Sequence, residues 1–135
     1  SYHKQIFKNV PFPKMVFGFI VKNNLLVRAY VACYKDRFLR DKTQLFHFPY
    51  SNVYENGNLC FYDKPEIPDL VALQHVPYQW LETDNNDHLY FQGRTNQLDQ
   101  PLREIFEKSK GKPFDNDILT PFNKTFEEWA NIIIS

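Results

Sequence analysis

Glycine is scarce in this sequence, four in 135 residues, and none of the four belongs to a Gly-rich loop that would cradle a phosphate or to a G-x-S-x-G nucleophile elbow. Cysteine is scarcer, with only Cys33 and Cys60. No C-x-x-C or H-x-x-x-H pairing is present, and His47, His75 and His88 lie far apart, so no metal and no cofactor are expected. An excess of one charge is missing too. Sixteen basic residues balance sixteen acidic ones, which removes the global field that would draw nucleic acid or an anionic membrane. No apolar run approaches the roughly 18 residues needed to cross a bilayer. The opening "SYHKQIFKNVPFP" has neither an apolar signal core nor a small-residue cleavage site. These absences lead to the expectation of a cytoplasmic protein with both thiols reduced. The length fits one domain over residues 1–135.

What is abundant is aromatic: thirteen Phe and eight Tyr, flat rings that favour strands and a thick core. The first half reads as a β meander. "MVFGFIVK" (15–22) and "LLVRAYVACY" (25–34) flank Asn23-Asn24, a pair that tolerates the positive φ of a tight hairpin. "QLFHFPY" (44–50) reads as a third strand ended by Pro49. Asn56-Gly57 is the strongest hairpin signal in the chain, with "NVY" before it and "NLCFY" after. The second half turns helical. Asp69 is an N-cap for one or two short helices over 69–84, with a kink or break at Pro77. Pro101 opens a helix over 100–111. A last helix is expected over 120–134, capped by Thr120, opened by Pro121 and burying Phe122, Phe126 and Trp129 on one face. Strands followed by helices give an α+β fold, an antiparallel meander with helices packed on one face.

The two cysteines read differently. Cys33 lies mid-strand among apolar neighbours and reads as an inert core thiol. Cys60 follows Asn52 by eight positions and Gly57 by three, with Leu59 just before it. This stretch resembles the active-site segment of ubiquitin-conjugating enzymes, where a His-Pro-Asn triplet ends a meander strand and the catalytic cysteine follows its Asn at that distance. The fuller phrase "LFHFPYSNVYENGNLCFYD" is similar to the bacterial branch called prokaryotic family D, which includes PRTRC system protein B of plasmid and mobile-element clusters. The close match covers roughly twenty residues, and the rest agrees in pattern. Tyr50 and Ser51 stand where the triplet has His and Pro. "SYHKQIFKNVPFP" is too short and proline-rich to supply the family's N-terminal helix. The resemblance implies a ubiquitin-conjugating-like fold with Cys60 as nucleophile, and an active-site loop containing Tyr50, Ser51, Asn52, Gly57 and Leu59. It also implies three partners: a ThiF-like adenylating enzyme, a ubiquitin-like protein and a JAB-type metalloprotease.

The chemistry asks for these residue types independently. A thiolate is both nucleophile and leaving group, so a cysteine can accept an acyl group as a thioester and pass it on. An amide N–H beside the carbonyl steadies the charge that develops when an amine attacks. Asn52 supplies that donor if the Asn56-Gly57 turn folds its strand back toward Cys60; otherwise Asn52 is a turn residue bonding its own backbone. Asp63 and Asp84 are candidates for orienting an incoming amine, or else solvate a loop. The expected function is thus a cysteine-dependent transferase carrying a ubiquitin-like protein. The alternative is a non-catalytic protein-binding module of the same fold in a plasmid or mobile-element system. A phage or plasmid structural protein is a third reading, with only the aromatic richness in its favour.

Overall fold

The computed structural model describes residues 10–59, 66–81 and 88–135. Asn23 and Asn24 both hold positive φ, 53° and 61°, the signature of a two-residue turn whose twist matches that of the strands it joins. It connects β1 (Lys14–Lys22) and β2 (Leu25–Tyr34) in an antiparallel ladder running from Lys14↔Tyr34 to Lys22↔Leu25. The ladder slips between Ile20↔Arg28 and Val21↔Leu26, so β2 carries one extra residue there. A one-residue bulge exchanges the two faces of a strand. Leu26 consequently points into the same core as Ala29, Val31 and Cys33, which parity alone would forbid.

The third strand, β3 (Gln44–Phe46), is three residues long rather than seven. Its ladder stops before Pro49, at His47, whose N–H turns instead to the carbonyl of Thr120 at 2.9 Å. The fourth strand corrects a larger expectation. Residues 120–134 are not one helix: Pro121–Thr125 form β4, and Phe126–Ile134 form the helix α3. β4 pairs antiparallel with β3, giving the sheet order β1-β2-β3-β4. The first half therefore supplies three strands and the end of the chain the fourth. As first residue of an edge strand, Pro121 sits where its missing N–H costs least. Between the pairs Phe46↔Pro121 and Gln44↔Thr125 the longer path of β4 is absorbed at Asn123, which has φ 62°.

The helix start lies at Thr125, not Thr120. Thr125 Oγ1 accepts from the Glu128 N–H, and Glu128 Oε1 accepts from the Thr125 N–H at 2.9 Å. This reciprocal pair is the capping box. Phe122 and Trp129 are buried and Phe126 is half-buried in one cluster, so those rings share a core as expected although a strand and a helix deliver them.

Helices cover both faces of the sheet, not one. Helix α1 (Leu70–Leu81) is a single helix that tolerates Pro77. Asp69 caps it, its carboxylate accepting from the Ala72 N–H at 2.9 Å. Helix α2 (Leu102–Ser109) follows Pro101. Trp80 of α1 and Ile105 and Phe106 of α2 join Val31, Cys33 and Phe48 on one face. On the other face α3 packs Trp129 against Tyr30, Ala32 and Leu45, and Gly18 of β1 lets Ile133 approach. The described residues thus form an α+β architecture, a four-stranded antiparallel sheet between helices. None of the helices among them is long and apolar enough to cross a membrane.

Candidate functional site

The loop Phe48–Leu59 leaves β3 and returns to the sheet. Its first part is anchored in the core. The Tyr50 hydroxyl donates to the Pro11 carbonyl at 2.6 Å, and its ring meets those of Phe48, Phe106 and Phe114 edge-on. Ser51 is buried beside it. The carboxamide of Asn96, itself fully buried, donates to the Pro49 carbonyl at 2.8 Å and accepts from the Leu98 N–H at 2.9 Å. Each end of that amide closes a bond the interior would otherwise leave open. It ties the start of the loop to the segment around residues 88–98.

Asn52 follows with φ 68°, left-handed backbone that Asn accepts more readily than most residues. Its N–H donates to the His88 carbonyl at 2.8 Å. Its side-chain oxygen is buried and has no hydrogen-bond partner among the described residues. The Asn52 side-chain oxygen therefore makes no bond to its own backbone.

The chain then reverses. The Tyr54 N–H donates to Asn58 O and the Gly57 N–H to Tyr54 O, and Gly57 holds φ 90°. This is a three-residue hairpin loop with glycine at its left-handed position. Among the described residues the two arms are joined by the bridge Val53↔Leu59. The returning arm docks along β2: Gly57 O accepts from the Val31 N–H and the Leu59 N–H donates to Ala29 O, both at 2.8 Å. Leu59 is buried in the main core.

Of the residues singled out in the sequence, Asn52, Gly57 and Leu59 are gathered by this hairpin, while Tyr50 and Ser51 are core residues beneath it. Cys60, Asp63 and Asp84 lie outside the described residues, as does the N-terminal stretch 1–9. Cys33 is a free thiol, fully buried, and burial pushes its pKa far above the ordinary range. The thiolate needed for nucleophilic chemistry is thereby suppressed there.

Beside the hairpin opens a cleft of about 270 Å³. One end is the Asn52–His88 seam, since Val53 and Leu89, the next residue on each side, both line it. Phe48 and Phe91 complete an apolar floor, and His47, Glu55 and Arg94 bring polar groups. The His47 ring stacks on Phe122 with centroids 4.3 Å apart. Burial lowers its pKa below the ordinary imidazole value; the Glu55 charge opposes that shift and the Lys124 charge adds to it. The neutral form of the imidazole is thereby favoured. Arg94 lies over the Phe91 ring, 5.0 Å from its centroid. Sequence reading considers His47 as a metal ligand and sets it aside, and it does not single out Arg94 or Asn96. His47 alone carried a local signal, because it alternates with Phe46 and Phe48 and shares the Leu45 side of its strand.

Comparison with known families matches the chain to prokaryotic E2 family D over residues 2–128. None of the curated proteins and none of the solved structures compared with the chain matches it. The match spans nearly all of the 135 residues and contains the hairpin, the seam and the cleft. The chain therefore belongs to prokaryotic E2 family D.

Proposed function

We propose that the protein is a ubiquitin-conjugating-like carrier. It takes a ubiquitin-like protein from an adenylating enzyme of the ThiF type as a thioester on Cys60, in the cytoplasm, and passes it to an amine. A JAB-type metalloprotease is the third proposed member of the system. The assignment to the PRTRC system protein B-like branch, and to the ubiquitin-conjugating fold in its details, is part of the same proposal. One observation carries it most directly. The Val53↔Leu59 bridge returns the chain beside Asn52 one residue before Cys60, and Asn52 is locked in a left-handed conformation with a buried, uncommitted carboxamide oxygen. The Asn52 carboxamide is the candidate donor for oxyanion stabilisation through its NH2 group, a role that needs donors already in place when charge develops.

The test is charging. With its adenylating enzyme, the ubiquitin-like partner and ATP, the protein is expected to form an adduct that added thiol destroys, because thioesters exchange with thiols. Cys60→Ser should give a thiol-resistant oxyester or no adduct, and Cys33→Ala should charge normally. Asn52→Ala should charge but discharge to amine slower by on the order of 100-fold. A protein that never charges, and whose Cys60→Ala variant keeps full biological activity, is instead a binding module. The core placement of Tyr50 and Ser51, where the His and Pro of the related triplet would stand, is the observation on that side.

A further inference from the structure

We propose that β1 is a self-association edge: two copies of the chain pair their β1 strands antiparallel about a two-fold axis beside Gly18, joining two four-stranded sheets into one. This inference is independent of the carrier reading above. Three observations support it.

The first is an open edge. β1 is the outermost strand of the sheet and, among the described residues, pairs only with β2. The N–H and C=O groups on its outer side are a template for a further strand. The usual protections of such an edge are missing from it. Between Met15 and Val21 there is no charge and no proline, and the extra residue at the bulge belongs to β2.

The second is self-complementarity. "KMVFGFIVK" (Lys14–Lys22) reads nearly alike in both directions from Gly18. A two-fold axis lays a strand against its own reversed copy. With Gly18 facing Gly18 of the second copy, Phe17 faces Phe19 across the axis, Val16 faces Ile20 and Met15 faces Val21. Aromatic then meets aromatic and β-branched meets β-branched, the cross-strand pairs that stabilise antiparallel sheets. The faces agree as well: Phe17 and Phe19 both pack toward the core of Trp80, and Val16 and Ile20 toward that of Trp129. A partner of unrelated sequence would place no such demand on β1. The same register sets Lys14 against Lys22 of the second copy. The Lys14 ammonium is drawn back onto its own protomer, however, donating to the carbonyls of Lys35 at 3.1 Å and Asp36 at 2.7 Å.

The third is an exposed apolar patch at the axis. A Cβ on Gly18 would stand 3.3 Å from Ile133 Cδ1, so the end of α3 lies over the middle of β1. Paired strands lie about 4.8 Å apart, which places the axis about 2.4 Å from β1 and brings Ile133 of both copies beside it. Ile132 and Ile134, its neighbours in α3, are 57% and 74% exposed, and Val21 of β1 is 39% exposed. The association that pairs the edges also covers this patch.

Sedimentation of the full chain from micromolar to millimolar concentration should show a monomer–dimer equilibrium with nothing larger, because an isologous contact closes on itself. Lys22→Glu gives Lys14 of the second copy a carboxylate to face at both ends of the pairing, and should tighten the dimer roughly threefold. Val21→Lys on the edge and Ile132→Gln on α3 replace exposed apolar groups, and each should weaken it by at least roughly fivefold. Amide exchange reads the edge directly. The β1 N–H groups that point away from β2 should exchange fast in dilute protein and slow down as concentration rises, while those of β2 stay protected throughout. A protein that stays monomeric at millimolar concentration, or assemblies that grow past the dimer, would overturn the proposal. So would a dimer that Lys22→Glu leaves unchanged or weakens, or one that forms without slowing exchange in β1.

Discussion

Gly57 and Val31 are locked backbone to backbone. The Val31 N–H donates to Gly57 O at 2.8 Å, and a Cβ on Gly57 would stand 2.9 Å from Val31 O. The same Cβ would come into ordinary contact with Trp129 and Phe122, so the hairpin, β2, β4 and α3 meet at this point.

Gly57→Ala should accordingly be among the most damaging single-methyl additions in the chain. The left-handed φ of 90° costs an alanine about 1–3 kcal/mol, and overpacking against a backbone carbonyl adds about 1–3 kcal/mol. The stiffer unfolded chain returns only about 0.4–1 kcal/mol. Urea denaturation should show a net loss of about 3 kcal/mol. A loss below about 1 kcal/mol would mean that the hairpin can leave β2 without consequence.

Asn96 offers a second test, of the bonds beneath the candidate loop. Asn96→Ala strands the Pro49 carbonyl in the interior, at about 1–3 kcal/mol, and leaves the part-buried Leu98 N–H without its acceptor. Asn96→Asp keeps an acceptor for Leu98 but faces Pro49 O with an oxygen, so it should be no less damaging. Because Pro49 lies three residues before Asn52, amide exchange at Asn52, whose N–H is held by His88 O, should speed up in Asn96→Ala more than exchange in β1. Equal protection in the variant and wild type would show that the seam does not depend on Asn96.

The contrast between what was legible and what was not follows the range of the interactions. The β1–β2 hairpin was visible because alternation and Asn23-Asn24 are local. The Asp69 cap, the helices near 70–81 and 102–109, and the Asn52–Gly57–Leu59 spacing were visible for the same reason. β4 was not, because Pro121–Thr125 becomes a strand only through Gln44 and Phe46, about eighty positions earlier. A proline after a threonine satisfies a helix start and the first residue of an edge strand equally well, and the partner decides. The Thr125-x-x-Glu128 signature of the true start was present in the sequence and was passed over in favour of Thr120-Pro121. The cleft was illegible for a stronger reason. His47, Glu55, Arg94 and Thr120 come from four separate segments, and no local pattern announces that they meet.

The capping box yields a pH-dependent prediction. Hydrogen bonds from Thr125, backbone first and side chain second, hold the exposed Glu128 carboxyl below its ordinary pKa of 4.5. A carboxyl depressed in the folded state contributes stability above its unfolded pKa and loses it as pH falls through the folded value. Glu128→Gln should therefore flatten part of the decline in stability below about pH 4.5. Thr125→Ala, which removes the N-cap oxygen, should cost about 1 kcal/mol at neutral pH. Parallel acid limbs for wild type and Glu128→Gln would show that the box does not form in solution.

His47 gives the opposite kind of linkage, in a range where few other side chains titrate. Its pKa is lowered from 6.5, by burial first, with Lys124 of β4 adding to the shift and Glu55 of the hairpin opposing it. Phe122 stacks on its ring, and Arg94 and Thr120 face it across the cleft. Since the folded imidazole binds its proton less readily than the unfolded one, the unfolded state takes up the proton first on acidification. Stability is then full above the unfolded value of 6.5 and falls as pH drops from there toward the folded value. Urea midpoints measured at about pH 7.5 and about pH 5.5 should differ in the wild type and draw together in His47→Gln. The flanking charges set the slope. Glu55→Gln removes the group that favours imidazolium and should widen the difference, whereas Lys124→Gln removes a repelling charge and should narrow it. A wild type that gains stability between those two pH values would mean that His47 charges more readily in the fold than outside it.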